Sequence, residues 1–183
     1  MKLKGKRIGY VLTGSFCTFS KTIPVIKELV KNGAEVIPIM SYNSYNLDTK
    51  FGKAQDFIKE IEEITGKKII HTIQEAEPIG PKKITDIMVI APCSGNTISK
   101  LAYDIIDTPA TMAAKSHLRN NKPLVIAVST NNGLGANAES IGRLLYRRNY
   151  YFVPFKQDNP ITKPRSIVAD FNMIIKTIEF ALE

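Results

Sequence analysis

The chain has 183 residues, 44% of them hydrophobic and 23% charged, with a formal net charge of +8. That length suits a single domain over residues 1–183 with a sizeable core, and apolar runs such as Ile87 to Ala91 fall far short of the roughly 20 residues of a membrane-spanning helix. The positive charge is spread along the chain without a basic-aromatic stripe, which favours anionic small molecules or an acidic partner over nucleic acid.

The basic N-terminal segment Met1 to Arg7 lacks the apolar stretch of a secretory signal, so a cytoplasmic location is expected. The two distant cysteines, Cys17 and Cys93, make neither a disulfide framework nor a metal-ligand spacing. They are expected as free thiols, and no metal site is expected.

In chain order, Arg7 to Thr13 reads as a short apolar strand ended by Thr13-Gly14-Ser15. A helix with Ile23, Ile26, Leu29 and Val30 on one face follows, closed by Asn32-Gly33. Glu35 to Met40 is a second strand, and Pro38, lacking a ladder donor, sits better near a strand edge or end. Ser41 to Thr49 reads as a loop. A helix carrying Phe57, Ile58, Ile61 and Ile64 stops at Gly66. Lys68 to Thr72 is a candidate short strand, Glu77 to Pro81 a turn, and Asp86 to Ala91 a buried strand.

Thr108-Pro109 reads as an N-cap and first-turn proline opening a helix to about Arg119. Pro123 to Val128 is another buried strand, Glu139 to Arg148 a helix, and Tyr150 to Phe155 a strand. Ile167, Phe171, Ile174 and Ile178 are spaced as the core face of a last helix.

Strands alternating with helices predict a three-layer α/β domain, Rossmann-like or flavodoxin-like, with a parallel sheet covered by helices on both faces. Ligands of such sheets bind beyond the carboxyl ends of the strands, which singles out four loops. Thr13-Gly14-Ser15 offers small residues and hydroxyls near a helix start, a phosphate seat or an ordinary strand-helix turn. It lacks the Lys-Ser/Thr ending of a triphosphate loop and the three glycines of a dinucleotide fingerprint. Ser41 can add a hydroxyl.

Pro92, Cys93, Ser94, Gly95, Asn96 and Thr97 join a buried strand to an apolar-faced helix and can present amides and short side chains to the rim of a flat heterocycle. Ser129 to Gly135 can place side-chain amides against a ligand or serve as a flexible connector. The only histidines, His71 and His117, lie outside these loops. No acid-base constellation surrounds them, which points to chemistry carried by a cofactor.

Leu12 to Ser15 and Ile90 to Thr97, followed by Lys100 and Leu101, resemble the two signature loops of the FMN-binding homo-oligomeric flavin-containing cysteine decarboxylase superfamily. Lys4 to Gly9, Met112 to Lys115, Arg119 to Pro123, Ser129 to Asn131, Pro154 to Pro160 and Lys163-Pro164 resemble one family within it, the B-type subunits of dipicolinate synthase.

The resemblance implies a flavoprotein subunit that binds FMN and assists oxidation of dihydrodipicolinate to dipicolinate during spore formation. Its implied partners are the A-type subunit of dipicolinate synthase, which is dehydrogenase-like and carries NAD(P), and further copies of itself. Thr13, Gly14, Ser15, Ser41, Pro92, Cys93, Ser94, Asn96, Thr97 and Ser129 are the implied cofactor-binding positions. The catalytic histidine of the decarboxylases has no counterpart, and their Pro-Ala-Met-Asn segment is replaced by Ser129 to Asn132. Both departures count against peptidyl-cysteine decarboxylation, the alternative activity on this fold; a non-catalytic partner role is the other alternative. A small-molecule dicarboxylate needs cations. Lys163 and Arg165, with Asn131, are the candidate substrate-binding residues.

Overall fold

The computed structural model describes residues 3–183, so Met1 and Lys2 of the expected domain and of the basic N-terminal segment lie outside it. The described residues form a seven-stranded sheet. Its parallel part comprises β1 (Arg7–Leu12), β2 (Glu35–Met40), β3 (Ile87–Cys93), β4 (Leu124–Thr130) and β5 (Tyr150–Phe152). They lie side by side in the order β2-β1-β3-β4-β5, the flavodoxin-like arrangement, with the strand order reversing between β1 and β3. Pro38 sits on the edge strand as expected. Its carbonyl accepts from the Ile70 N–H at 3.0 Å on the outer side, where no proline donor is required.

Alternation along the strands divides the core between two layers. Ile8, Tyr10, Leu12, Val89, Ala91, Val125 and Ala127 face α1 (Phe19–Lys31), α3 (Ala54–Thr65) and α8 (Ile174–Ala181). Val11, Met88, Ile90, Cys93, Leu124, Ile126 and Val128 face α5 (Gly95–Ala102), α6 (Pro109–Leu118) and α7 (Asn137–Leu145). Each such Ile, Leu or Val contributes about 1.5–3 kcal/mol by leaving water. The expected caps form: Gly66 takes φ +66° after α3, and Thr108 with Thr111 makes a capping box on α6.

The carboxyl-terminal third departs from simple alternation. Tyr150 to Phe155 is not one strand. It breaks at Val153 and Pro154, and β6 (Phe155–Asn159) then pairs antiparallel with β7 (Lys163–Ala169). Strand β7 also pairs antiparallel with the end of β4 through Ser129 and Thr130.

Ile167 therefore lies on β7 rather than on the last helix. It packs into the α5–α7 layer, whereas Phe171, Ile174 and Ile178 pack into the opposite one. Their helical spacing spans two elements that bury side chains on opposite faces of the sheet. The segment expected as a loop after β2 contains α2 (Tyr42–Asn46), with Ser41 as its N-cap. Lys68 to Thr72 contributes only the bridge between Ile39 and Ile70. The short α4 (Ile73–Ala76), begun by a Thr72–Glu75 capping box, precedes a 3₁₀ turn at Glu77–Ile79.

Candidate functional site

The loops after β1, β2, β3 and β4 open on one cleft of about 1220 Å³ at the carboxyl edge of the parallel strands. Gly14, Ser15, Ser41, Ser94, Asn96, Thr97, Ser129, Asn131 and Lys163 line it. Of the remaining singled-out positions, Thr13, Pro92 and Cys93 are buried behind the wall, and Arg165 is exposed and outside the lining.

Thr13 ties two loops together. Its hydroxyl donates to the Pro92 carbonyl at 2.8 Å and accepts from the Ser94 N–H at 2.9 Å, and the residue is 0% exposed. Ser94, so positioned, caps α5, accepting from the Thr97 N–H at 3.4 Å. The Ser15 and Ser129 hydroxyls meet at 2.8 Å, joining the first loop to the fourth. Ser41 spends its hydroxyl locally, against Ser44 at 2.8 Å. Burial in the core layer pushes the Cys93 thiol up from its ordinary range, which makes it a packing residue, whereas Cys17 is exposed on the cleft wall.

A second buried arrangement fixes α5 against α7. Asn137 accepts from the Thr130 hydroxyl at 2.8 Å and donates to the Gly95 carbonyl at 3.2 Å and the Ser99 hydroxyl at 2.9 Å. A Cβ at Gly95 would stand 2.5 Å from Asn137 Oδ1, so the close approach requires glycine there. Sequence reasoning missed Asn137, and it included Thr130 and Ser99 only as members of their loops without a role; all three line the cleft. The Asn- and Gly-rich composition before α7 was the available signal, but nothing local says that Asn137 turns back to α5.

Lys21, Lys50, Lys100 and Lys163 bring four cations to the cleft, against Asp107 and Asp158. Lys100 is hydrogen-bonded to Asp107 at 2.6 Å and Lys163 to Asp158 at 2.9 Å. The Lys163 ammonium holds the Asp158 carboxyl below its ordinary range and is itself raised. Among the described residues, neither Lys21 nor Lys50 makes an ion pair. Neither histidine reaches the cleft: His71 stacks on Tyr45 with ring centroids 3.9 Å apart, and His117 is buried between Thr85 and the Pro123 carbonyl. Among the described residues no His, Cys, Asp and Glu group is arranged to hold a metal, and no helix is long and apolar enough to cross a membrane.

The donor set is thus hydroxyls, backbone N–H groups and side-chain amides, with four lysines contributed by separate elements. A cleft of this size accommodates a mononucleotide-sized ligand and a second small molecule, since single small-molecule sites typically measure about 300–1,000 Å³. The polar groups fit a phosphate at the Gly14–Cys17 turn and a flat heteroatom-rimmed ring along Ser94 to Thr97.

Comparison with known proteins accords with this geometry. Residues 1–154 match the family model described as Flavoprotein. The chain is 49% identical to the B-type subunit of dipicolinate synthase from Bacillus subtilis over 180 residues, 98% of this chain and 90% of the relative. The crystal structure of the B-type dipicolinate synthase subunit from Bacillus halodurans superposes with a TM-score of 0.91 at 46% identity, over 100% of this chain and 93% of that one. The crystal structure of Burkholderia xenovorans DmrB in complex with FMN shares the fold, with a TM-score of 0.72 at 15% identity over 97% of this chain and 95% of that one. The chain belongs to the flavoprotein family and, within it, to the family of B-type dipicolinate synthase subunits.

Proposed function

We propose that this chain is the flavoprotein subunit of a dipicolinate synthase. It holds FMN in the cleft and assists oxidation of dihydrodipicolinate to dipicolinate, beside a dehydrogenase-like subunit that carries NAD(P). The observation that carries the reading is the convergence of Gly14-Ser15, Ser94 to Thr97 and Ser129 to Asn132 on one cleft, in a chain 49% identical to a dipicolinate synthase subunit. FMN, when bound, supplies a ring that accepts a hydride.

The chain's own residues supply binding and orientation. Ser15 and Ser129, hydrogen-bonded to each other, offer hydroxyls to the phosphate. Asn96 is exposed into the cleft, and its amide both donates and accepts at the ring's edge. Lysine ammonium groups hold the carboxylates of the substrate. Oxidation of the dihydropyridine to an aromatic ring releases a hydride, which a bound flavin would accept, and a proton, which would pass to solvent water; the chain's contribution is then to align the donor carbon with the ring.

The decarboxylase alternative has no support from the cleft, where no histidine stands and where the two aspartates are engaged by lysines. Homo-oligomerisation is part of the proposal, supported by the resemblance to a homo-oligomeric flavoprotein superfamily rather than by a contiguous apolar patch: the strongly exposed Tyr146 and Ile161 lie on separate elements.

The test is to saturate the purified chain with FMN, release the cofactor by denaturation and identify it by mass. The flavin spectrum is then followed on adding dihydrodipicolinate, with the dehydrogenase-like partner present or omitted. Bound FMN and bleaching dependent on substrate are expected. FAD, or no retained flavin, overturns the cofactor assignment; retained FMN without bleaching reduces the chain to a stabilising partner.

A further inference from the structure

A second hollow, of about 420 Å³, lies away from the cleft. Leu101, Asp104 and Ile106 border it from the end of α5, Thr111, Lys115, Leu118 and Arg119 from α6, and Arg148, Asn149 and Tyr150 from the start of β5. None of these residues lines the cleft. Lys115, Arg119 and Asn121, which border it, are not used by the proposed flavin chemistry.

The charges are unbalanced. Lys115, Arg119 and Arg148 converge on the hollow, and among the described residues none makes an ion pair. The one acid, Asp104, is already engaged by Arg147 at 3.5 Å. Arg147 is anchored in turn, donating to the Ala102 carbonyl at 2.8 Å and the Leu101 carbonyl at 3.3 Å. Cations in the last turn of α6 complement the helix dipole, which accounts for Lys115 and Arg119 along their own helix. It does not account for Arg148, which arrives from another element after α7. Between the cations the walls are apolar: Leu101, Ile106, Leu118 and the partly buried Tyr150 ring.

We propose that this hollow is a second ligand site, for a compact aromatic anion carrying two carboxylates. The ring lies on the apolar walls, and the guanidinium groups of Arg119 and Arg148 take the carboxylates with paired hydrogen bonds. The volume exceeds the lower bound of about 300 Å³ for small-molecule sites. That the product of the proposed reaction belongs to this ligand class rests on the proposed function; the site itself rests on the hollow alone.

The full chain, loaded with FMN and labelled with nitrogen-15, is titrated with isophthalate, a flat ring with two carboxylates that is not a substrate of the proposed oxidation. Saturable shifts are expected at the amides of residues 115–121 and 148–150. The double substitution Arg119→Gln with Arg148→Gln weakens binding by about tenfold or more, while Lys31→Gln, at an exposed position on α1 outside both the hollow and the cleft, leaves it unchanged.

Absence of a saturable shift at these amides, or affinity indifferent to removal of the two arginines, overturns the site. So does a hexaglutamate peptide that shifts them where isophthalate does not, because the face then docks protein. If the double variant fails to fold, Lys115→Gln alone, judged by its effect on the same amides, decides. Dipicolinate is titrated last. Binding of isophthalate and dipicolinate together supports the site with the product as occupant. Failure of both overturns the site and leaves the flavin spectrum, measured separately, to judge the reaction.

Discussion

The cleft has two walls of different construction. The inner wall, built on the ends of β1, β3 and β4, is bonded inward throughout: Thr13 links Pro92 to Ser94, and Asn137 links Thr130, Gly95 and Ser99. The outer wall is the β6–β7 hairpin, whose residues 155–165 are all exposed. Only its base is fixed, where Ser166 donates to the Thr130 carbonyl at 3.4 Å and Ile167 fills the space beside Gly133. Polar groups held by buried partners keep a fixed geometry, and a projecting hairpin without them can yield. The inner wall is suited to hold a flat ring in one place, and the outer wall to admit and release a second molecule.

The sharpest way to break this contrast is Thr13→Val. The shape is kept, but the Ser94 N–H and the Pro92 carbonyl lose their hydroxyl partner in a fully buried position. The Pro92 carbonyl retains a weaker contact from the Thr13 N–H at 3.3 Å. A loss of about 1–3 kcal/mol is expected for the stranded Ser94 N–H, read as a lower urea midpoint. An unchanged midpoint would show that the inner wall is not held through this residue.

The framework also carries a pH signature. His117 Nε2 donates to the Pro123 carbonyl at 2.9 Å and Nδ1 accepts from the Thr85 hydroxyl at 2.8 Å, the neutral tautomer. Burial pushes its pKa down to about 4 from an ordinary 6.5; the Pro123 carbonyl and, more weakly, Asp86 oppose, and the nearby Lys122 pushes the same way as burial. The unfolded chain takes up this proton first as pH falls, so stability is full above about pH 6.5 and declines toward pH 4, by up to about 3 kcal/mol. Asp86, its pKa held at about 2 by Arg7, loses its contribution only below its ordinary 3.8. Urea midpoints across this range should fall in the parent and flatten in His117→Asn; equal slopes in both would assign the proton elsewhere.

The inner wall was largely legible in the sequence and the outer wall was not. Each parallel strand is a short apolar run ended by small polar residues, and that local pattern places strand ends near Thr13, Ala91 and Val128, within about two residues of the observed ends at Leu12, Cys93 and Thr130. The Ser15–Ser129 contact joins the loops beyond β1 and β4, with β3 between them, and local pattern alone does not give it. The hairpin was hidden because Ile167, Phe171, Ile174 and Ile178 repeat at helical intervals, although Ile167 buries into the other layer. Residue spacing reports periodicity within one element and carries no information on which face of a sheet a side chain enters. The same limit hid Asn137, whose partners are Thr130 before it and Gly95 and Ser99 about 40 residues away.

A smaller effect is expected from Asn96→Asp, which probes the inner wall at its ligand-facing surface. Asn96 is exposed near the start of α5, where a carboxylate is favoured by the helix dipole, so the thermal midpoint should hold or rise. Asp loses the amide's donor, and FMN affinity should fall by about tenfold or more. Equal affinity in a flavin titration would leave Asn96 as a helix-start residue only.

The smallest effect, and the one that tests the outer wall, belongs to Lys163. Its side chain is 60% exposed and its charge is answered by Asp158; exposed pairs of this kind contribute little to stability. Lys163→Gln should therefore leave the thermal midpoint nearly unchanged. A carboxylate of the substrate has to compete with Asp158 for the same ammonium, which limits what the lysine can add to binding. The two members of the pair should then act in opposite directions in the reconstituted two-subunit enzyme. Lys163→Gln raises the Michaelis constant for dihydrodipicolinate, and Asp158→Asn, which frees the lysine, lowers it, each by about two- to fivefold. Arg165→Gln, outside the cleft lining, should change neither, although its charge is equal and it stands only two residues along β7. Effects of one sign from both members of the pair, or a larger effect from Arg165 than from Lys163, would show that the hairpin closes over the cleft in a different register.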